Sequence, residues 1–164
     1  IFCSMVIHQE YFTVELGSKI TLGLPLNEMG IVAQFDIANI CTVPGVAEFW
    51  YGVVNFKGSL LWILDSDRFF NLNLQRNKLA QKLTVVVVKN QQLDSEKQVA
   101  IVTQQLKGIV AVEPSCCQPL ADDAFPQLNK CCSTVAHTEA QTIYLLDAAA
   151  LLQQLHQQSI LVST

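Results

Sequence analysis

Charge is what this sequence has least of. Ten Lys and Arg and 14 Asp and Glu make up 15% of 164 residues, against about a quarter in an ordinary soluble domain. The cations are scattered, the formal net charge is −4 and the pI is near 5.2. Nothing of that kind draws a phosphate backbone, which argues against nucleic-acid binding, an OB-like single-strand binder included. Long apolar runs are missing too. The densest, residues 83–88 and 60–64, have strand length and fall far short of the ~18 residues of a membrane span. No direct membrane insertion is expected. Residues 1–7 are apolar but lack a basic leader and a cleavage site, so no signal peptide is expected. The missing initiator Met reads as trimming or renumbering. Catalytic signatures are also lacking: there is no Ser/His/Asp arrangement, no Gly-rich phosphate loop and no His-Glu-x-x-His. His8, His137 and His156 lie far apart. No catalytic residue and no cofactor is assigned.

What is present is apolar. The hydrophobic fraction is 51%, ample for a core with surface left over for contacts. The length suits one domain, or two very small ones sharing a core. The six cysteines are Cys3, Cys41, the pair Cys116 and Cys117, and the pair Cys131 and Cys132. A core this rich needs no disulfide framework, and without a secretion signal they read as cytosolic thiols. Structural zinc wants spaced ligands that let the chain wrap the metal; adjacent cysteines do not supply them. No metal is assigned. A redox or ligand-binding role for the pairs stays open as an alternative.

Turn signals divide the chain into short strands. Residues 11–16 and 19–24 flank Gly17-Ser18 as a hairpin, and residues 52–56 and 59–64 flank Lys57-Gly58 as another. Residues 27–32 read as a turn leading into a strand, and 35–43 as irregular. Asp65 and Ser66 cap a short helix over 67–71. Residues 71–81 read as a loop, 83–89 as a buried central strand, 90–97 as a polar turn, and 98–104 and 108–113 as strands. Residues 114–130, with Pro114, Pro119 and Pro126, read as connection. A last hairpin over 132–137 and 141–146 leads to a helix over 147–158, capped by Asp147. Many short strands with little helix predict an all-β barrel or sandwich.

Residues 53–70 resemble residues 135–152 at the constant offset of 82 that separates Asp65 from Asp147. Val53 matches Val135, Trp62 matches Tyr144, Leu64 matches Leu146, and Phe69-Phe70 match Leu151-Leu152. A hairpin, a capping Asp and a helix therefore occur twice. Two similar small barrels packed on each other would produce this. The two aspartates are then equivalent caps rather than a catalytic pair.

Val43-Pro44-Gly45, Tyr51-Gly52-Val53-Val54-Asn55-Phe56-Lys57-Gly58 and Ile63-Leu64-Asp65 resemble the central motif of CheW-like domains. Leu22-Gly23-Leu24-Pro25-Leu26, residues 100–108 and residues 135–152 resemble that family's other strands in order. Three departures mark a divergent member. Lys57 stands where the family has Arg, Leu61-Trp62 replace a common Pro, and Thr103 replaces an Asp. Lys offers a point charge where Arg offers a planar fork of donors.

The resemblance implies two five-stranded barrels sharing a hydrophobic interior, with short helices including one at the C-terminus. It implies a single domain over residues 1–164, with barrels of roughly 10–82 plus the C-terminal part, and roughly 83–150. It also implies a non-enzymatic adaptor between the regulatory domain of a CheA-type histidine kinase and the cytoplasmic tip of a methyl-accepting receptor. Such an adaptor is cytoplasmic and joins membrane receptor arrays through its partners. Partner-binding residues are expected at Met29, Ile31, Trp50, Gly52, Asn55 and Lys57. Each has a plainer alternative: strand core for Met29 and Ile31, turn chemistry for Gly52, Asn55 and Lys57, and inter-barrel packing for Phe49-Trp50-Tyr51.

Overall fold

The computed structural model describes residues 8–72, 80–90, 98–120 and 125–162. Among these residues, eleven strands form two curled sheets. Strands β1 (Gln9–Glu15) and β2 (Thr21–Pro25) make the first hairpin. Next come β3 (Met29–Asp36), the hairpin of β4 (Trp50–Phe56) and β5 (Ser59–Leu64), and helix α1 (Ser66–Phe69). Then follow β6 (Lys82–Lys89), β7 (Gln98–Thr103), β8 (Gln105–Val112) and the two-residue β9 (Cys117–Gln118). Helix α2 (Pro126–Cys131), the hairpin of β10 (Cys132–His137) and β11 (Thr142–Leu146), and α3 (Ala148–Val162) complete the order.

One sheet runs β3-β6-β7-β5-β4 and the other β8-β1-β2-β11-β10-β9. The first curls enough for its two edges to meet: Phe35 on β3 and Phe56 on β4 stack edge to face at 5.9 Å. The second has six strands where five were expected, because β9 adds two residues beside Val135 and Ala136. The first sheet carries a shorter version of the same addition, an isolated bridge between Cys41 and Val53.

The repeat runs deeper than the matched segments. Each sheet holds one parallel pairing in the same place, β5 with β7 and β11 with β2. The order β3-β6-β7-β5-β4 corresponds to β8-β1-β2-β11-β10. The five-stranded sheet is built from residues 29–103, and the six-stranded one from 9–25 together with 105–146. Sequence similarity alone drew the boundary near residue 82. The first hairpin belongs to the C-terminal strands.

Three apolar clusters follow from this arrangement. Val54, Leu61, Ile63, Val85 and Val87 fill the five-stranded barrel, while Tyr11, Val112, Ala136, Ile143 and Leu145 fill the other. Between them lies a shared core drawn from both sheets and the helices, including Leu22, Leu24, Val86, Val88, Ile101, Phe70 and Leu151. Strand β6 explains its own sequence. Val85 and Val87 face the barrel interior and Val86 and Val88 the shared core, so four successive valines are buried on two opposite faces.

Some local expectations are revised. Residues 35 and 36 continue β3 as regular strand, and Ile37–Asn39 forms a single 3-10 turn. The 114–130 stretch contains helix α2, since Pro126 opens it where a missing N–H costs nothing. Residues 73–79 of the expected loop and 91–97 of the expected turn lie outside the described residues.

Candidate interaction surface

The β4–β5 hairpin is built around its turn. Lys57 (φ 52°) and Gly58 (φ 82°) both take left-handed backbone, as a two-residue turn matching strand twist requires. The Asn55 side-chain oxygen accepts the Gly58 N–H at 3.2 Å and fixes that geometry. Lys57 is exposed, and its ammonium lies 5.2 Å from the centroid of the Phe56 ring. Because Phe56 also meets Phe35, the turn is anchored to the barrel and holds Lys57 in a defined place.

Gly52 does different work. A Cβ there would sit 2.4 Å from the Cys41 carbonyl oxygen, at φ +157°. Cys41 and Val53 exchange two backbone hydrogen bonds of 2.9 and 2.8 Å beside it. Gly52 is buried and lets residues 40–41 lie flat against the hairpin.

Trp50 is half-buried, 5.3 Å from Trp62 and 5.4 Å from Phe49. Phe49 touches Phe69, and Phe69 touches Phe70. An aromatic chain thus runs from the hairpin surface into the shared core. Outward on the hairpin, Asn55 pairs with Leu60 and Val53 with Trp62. Leu60 is 68% exposed, the most open large apolar side chain among the described residues. Leu60 and Trp62 are not among the six expected contact residues. The register opposite Asn55 and Val53 is what reveals them.

Met29 and Ile31 sit on β3, the opposite edge of the same sheet. Met29 packs half-buried on the shared core. Ile31 is 38% exposed, within an irregular register between Met29 and Val32. The six expected residues therefore fall into two groups, the hairpin and the β3 edge. Beside the second group a cleft of about 340 Å³ opens between the two sheets, walled by Val32, Gln34 and Thr84 on one side and Gln104, Gln105 and Leu106 on the other. Val32 and Leu106 are both substantially exposed there.

The cysteines divide by depth. Cys41 is exposed, Cys116 and Cys117 half-buried, and Cys131 and Cys132 buried. Burial, with Asp147 nearby, pushes the Cys131 thiol up to about 12. Burial and then its neighbour Cys131 push the Cys132 thiol up as well. Both stay protonated and unreactive. Among the described residues no group of His, Cys, Asp and Glu could hold a metal ion. No helix among them is long and apolar enough to cross a membrane.

The two aspartates of the repeat are helix caps, as expected. Asp65 accepts the Arg68 N–H at 3.3 Å and Asp147 the Ala150 N–H at 3.2 Å.

Two curled sheets about a shared core, with an exposed hairpin face and a cleft between sheet edges, define a double-barrel β protein. The chain belongs to the CheW-like domain family, whose model matches residues 10–156. Among solved structures it is similar to the scaffolding protein TtCheW from Thermoanaerobacter tengcongensis, at 14% identity and a TM-score of 0.72, covering 86% of this chain and 90% of that one. No curated protein matches in sequence.

Proposed function

We propose that this protein is a non-catalytic, cytoplasmic scaffold that couples a chemoreceptor-type sensor to a CheA-type histidine kinase in chemotaxis, phototaxis or motility signalling. Family membership supports the scaffolding role. The observation that carries the contact assignment is the β4–β5 hairpin: Leu60, Trp62 and Asn55 share one outward face beside a clamped Lys57. Apolar side chains on rigid backbone, with a charged rim, are what a protein interface needs. The kinase regulatory domain is assigned to this hairpin, with Trp50 supporting it from behind and Gly52 shaping it. The receptor tip, a helical hairpin, is assigned to the β3 edge and the cleft between sheets, with Met29 and Ile31 at its border. A helix laid in such a cleft would cover Val32 and Leu106.

Calorimetry against the regulatory domain of a CheA-type kinase from the same source tests the first contact. Binding at micromolar strength or tighter is expected, weakened about tenfold or more by Lys57→Glu or Leu60→Glu, the usual scale for a central interface residue. Unchanged affinity in both variants would overturn the hairpin assignment. For the alternative, a sensory barrel using the cysteine pairs, the accessible pair is Cys116 and Cys117. A native mass carrying a bound molecule would favour it.

A further inference from the structure

The outward face of β10–β11 is the repeat partner of the β4–β5 face, and its chemistry has diverged. Tyr144 stands where Trp62 does, His137 where Asn55 does, and Thr142 where Leu60 does. Over this face lies a cleft of about 680 Å³, within the size range of small-molecule sites. Its most defined group is Lys107, on the edge strand β8. The ammonium donates to Gln141 Oε1 at 2.7 Å and to Thr21 Oγ1 at 3.1 Å. Thr21 is 4% exposed, so the lysine is fixed against a buried hydroxyl. Both acceptors are neutral, and among the described residues Lys107 has no ion pair. One of its three N–H donors therefore remains for a ligand.

A second cation, Lys19, lines the same cleft from the β1–β2 turn and has no ion pair among the described residues either. Glu15 is the one carboxylate of the lining, and no lysine pairs with it within 4 Å. In a chain with only ten Lys and Arg and a net charge of −4, a cleft with two unneutralised ammonium groups stands apart. Its remaining wall is mixed, with an apolar part from Ile20, Leu120, Val135 and Tyr144 beside the polar Gln118, His137 and Thr142.

We propose that this cleft binds a small anionic molecule, a phosphate or carboxylate head carried on an apolar or aromatic body. The head takes the remaining Lys107 donor and Lys19. Gln141 and Thr21 hold Lys107 in place, and the body lies against Tyr144. Charge-assisted hydrogen bonds to a positioned ammonium supply the selectivity for charge. This site would make the scaffold responsive to a metabolite, and it does not depend on which proteins the scaffold joins.

The test is a titration of the full chain, followed by amide NMR, with phenyl phosphate, benzoate and phenol. Phenyl phosphate or benzoate should shift the amides of Thr21, Gln141 and Tyr144, and phenol should not. Whichever anion binds more tightly names the head group. Lys107→Met and Lys19→Asn should each weaken binding about tenfold, the scale of one hydrogen bond to a charged group. Asn suits the left-handed backbone of position 19 (φ 59°), so that variant remains a test if Lys107→Met fails to fold. Lys130→Gln, on α2, should bind as the parent does. The proposal is overturned if neither anion shifts these amides, if phenol shifts them equally, or if Lys19→Asn and a folded Lys107→Met retain parental affinity.

Discussion

The carboxylate of Asp67 accepts the backbone N–H of Gly17 at 2.7 Å, joining α1 to the turn of a hairpin in the other sheet. Its second oxygen accepts the side-chain amide of Gln104 at 3.0 Å, and Gln104 is the single residue between β7 and β8, where the chain passes from one sheet to the other. The other crossing, at Leu26–Glu28, is held in a related way: Glu28 Oε2 accepts the Ala148 N–H at the start of α3, at 3.1 Å. Each passage between barrels is thus fastened by a carboxylate at the first turn of a helix.

Asp67→Ala should therefore destabilise the whole molecule. It leaves the N–H of buried Gly17 without its acceptor, at a cost of about 1–3 kcal/mol. Urea unfolding should show the midpoint fall with little change in slope. Asp67→Asn, which keeps one acceptor oxygen, should lose less.

Glu28 gives a pH dependence of opposite sign to the common carboxylate case. Burial raises its pKa above the ordinary 4.5, Asp147 adds to the rise, and the Ala148 N–H opposes it. A carboxyl with a raised pKa in the folded state binds its proton more tightly folded than unfolded. Its contribution therefore favours folding in acid and declines as pH rises from 4.5 through the raised value. Glu28→Gln removes the half-buried charge and keeps an acceptor. The stability of the variant relative to the parent should be higher at pH 7 than at pH 4, as measured by thermal unfolding at both. A constant difference would contradict the linkage.

Gly52 and Gly58 should respond differently to Ala. At Gly58 a Cβ meets nothing within 4 Å, so Gly58→Ala costs only the left-handed backbone, about 1 kcal/mol. At Gly52 the Cβ collides with the Cys41 carbonyl and must push residues 40–41 off the hairpin. Gly52→Ala should cost about 2–3 kcal/mol or more. Melting temperatures would rank the two.

Alkylation with iodoacetamide at pH 8 should label Cys41 readily and leave Cys131 and Cys132 untouched until the protein is unfolded. Peptide mass spectrometry reads this directly. Rapid native labelling of Cys132 would mean that the shared core opens locally.

The parts that local chemistry specifies were readable in the sequence: the Lys57-Gly58 turn, the Asp65 and Asp147 caps, and the valines of β6. The extent of the repeat was not. Strand β2 pairs with β11 some 120 residues later, as Ile143 beside Thr21, and no local pattern encodes that choice. Helix α2 was hidden because Pro126 reads as a breaker unless its place at the helix start is known. In the proposed contact surface, Asn55 and Lys57 were legible as turn residues exposed by their own geometry. Leu60 and Trp62 were not, because an apolar residue on a strand looks the same whether it faces the core or the solvent. The clasps made by Asp67 and Glu28 join residues distant in sequence and left no local trace.

The hairpin of β1 and β2 has a consequence for how the chain is made. It leaves the ribosome well before its sheet partners β8 and β11 are made. The five-stranded barrel can close as soon as residue 103 is available. The hairpin must wait, with apolar Leu22 and Leu24 unsheltered, until β8 and β11 are available. Assembly of the second barrel is therefore a long-range closure, slow by its topology. No cut at a single point in the chain would release two intact barrels.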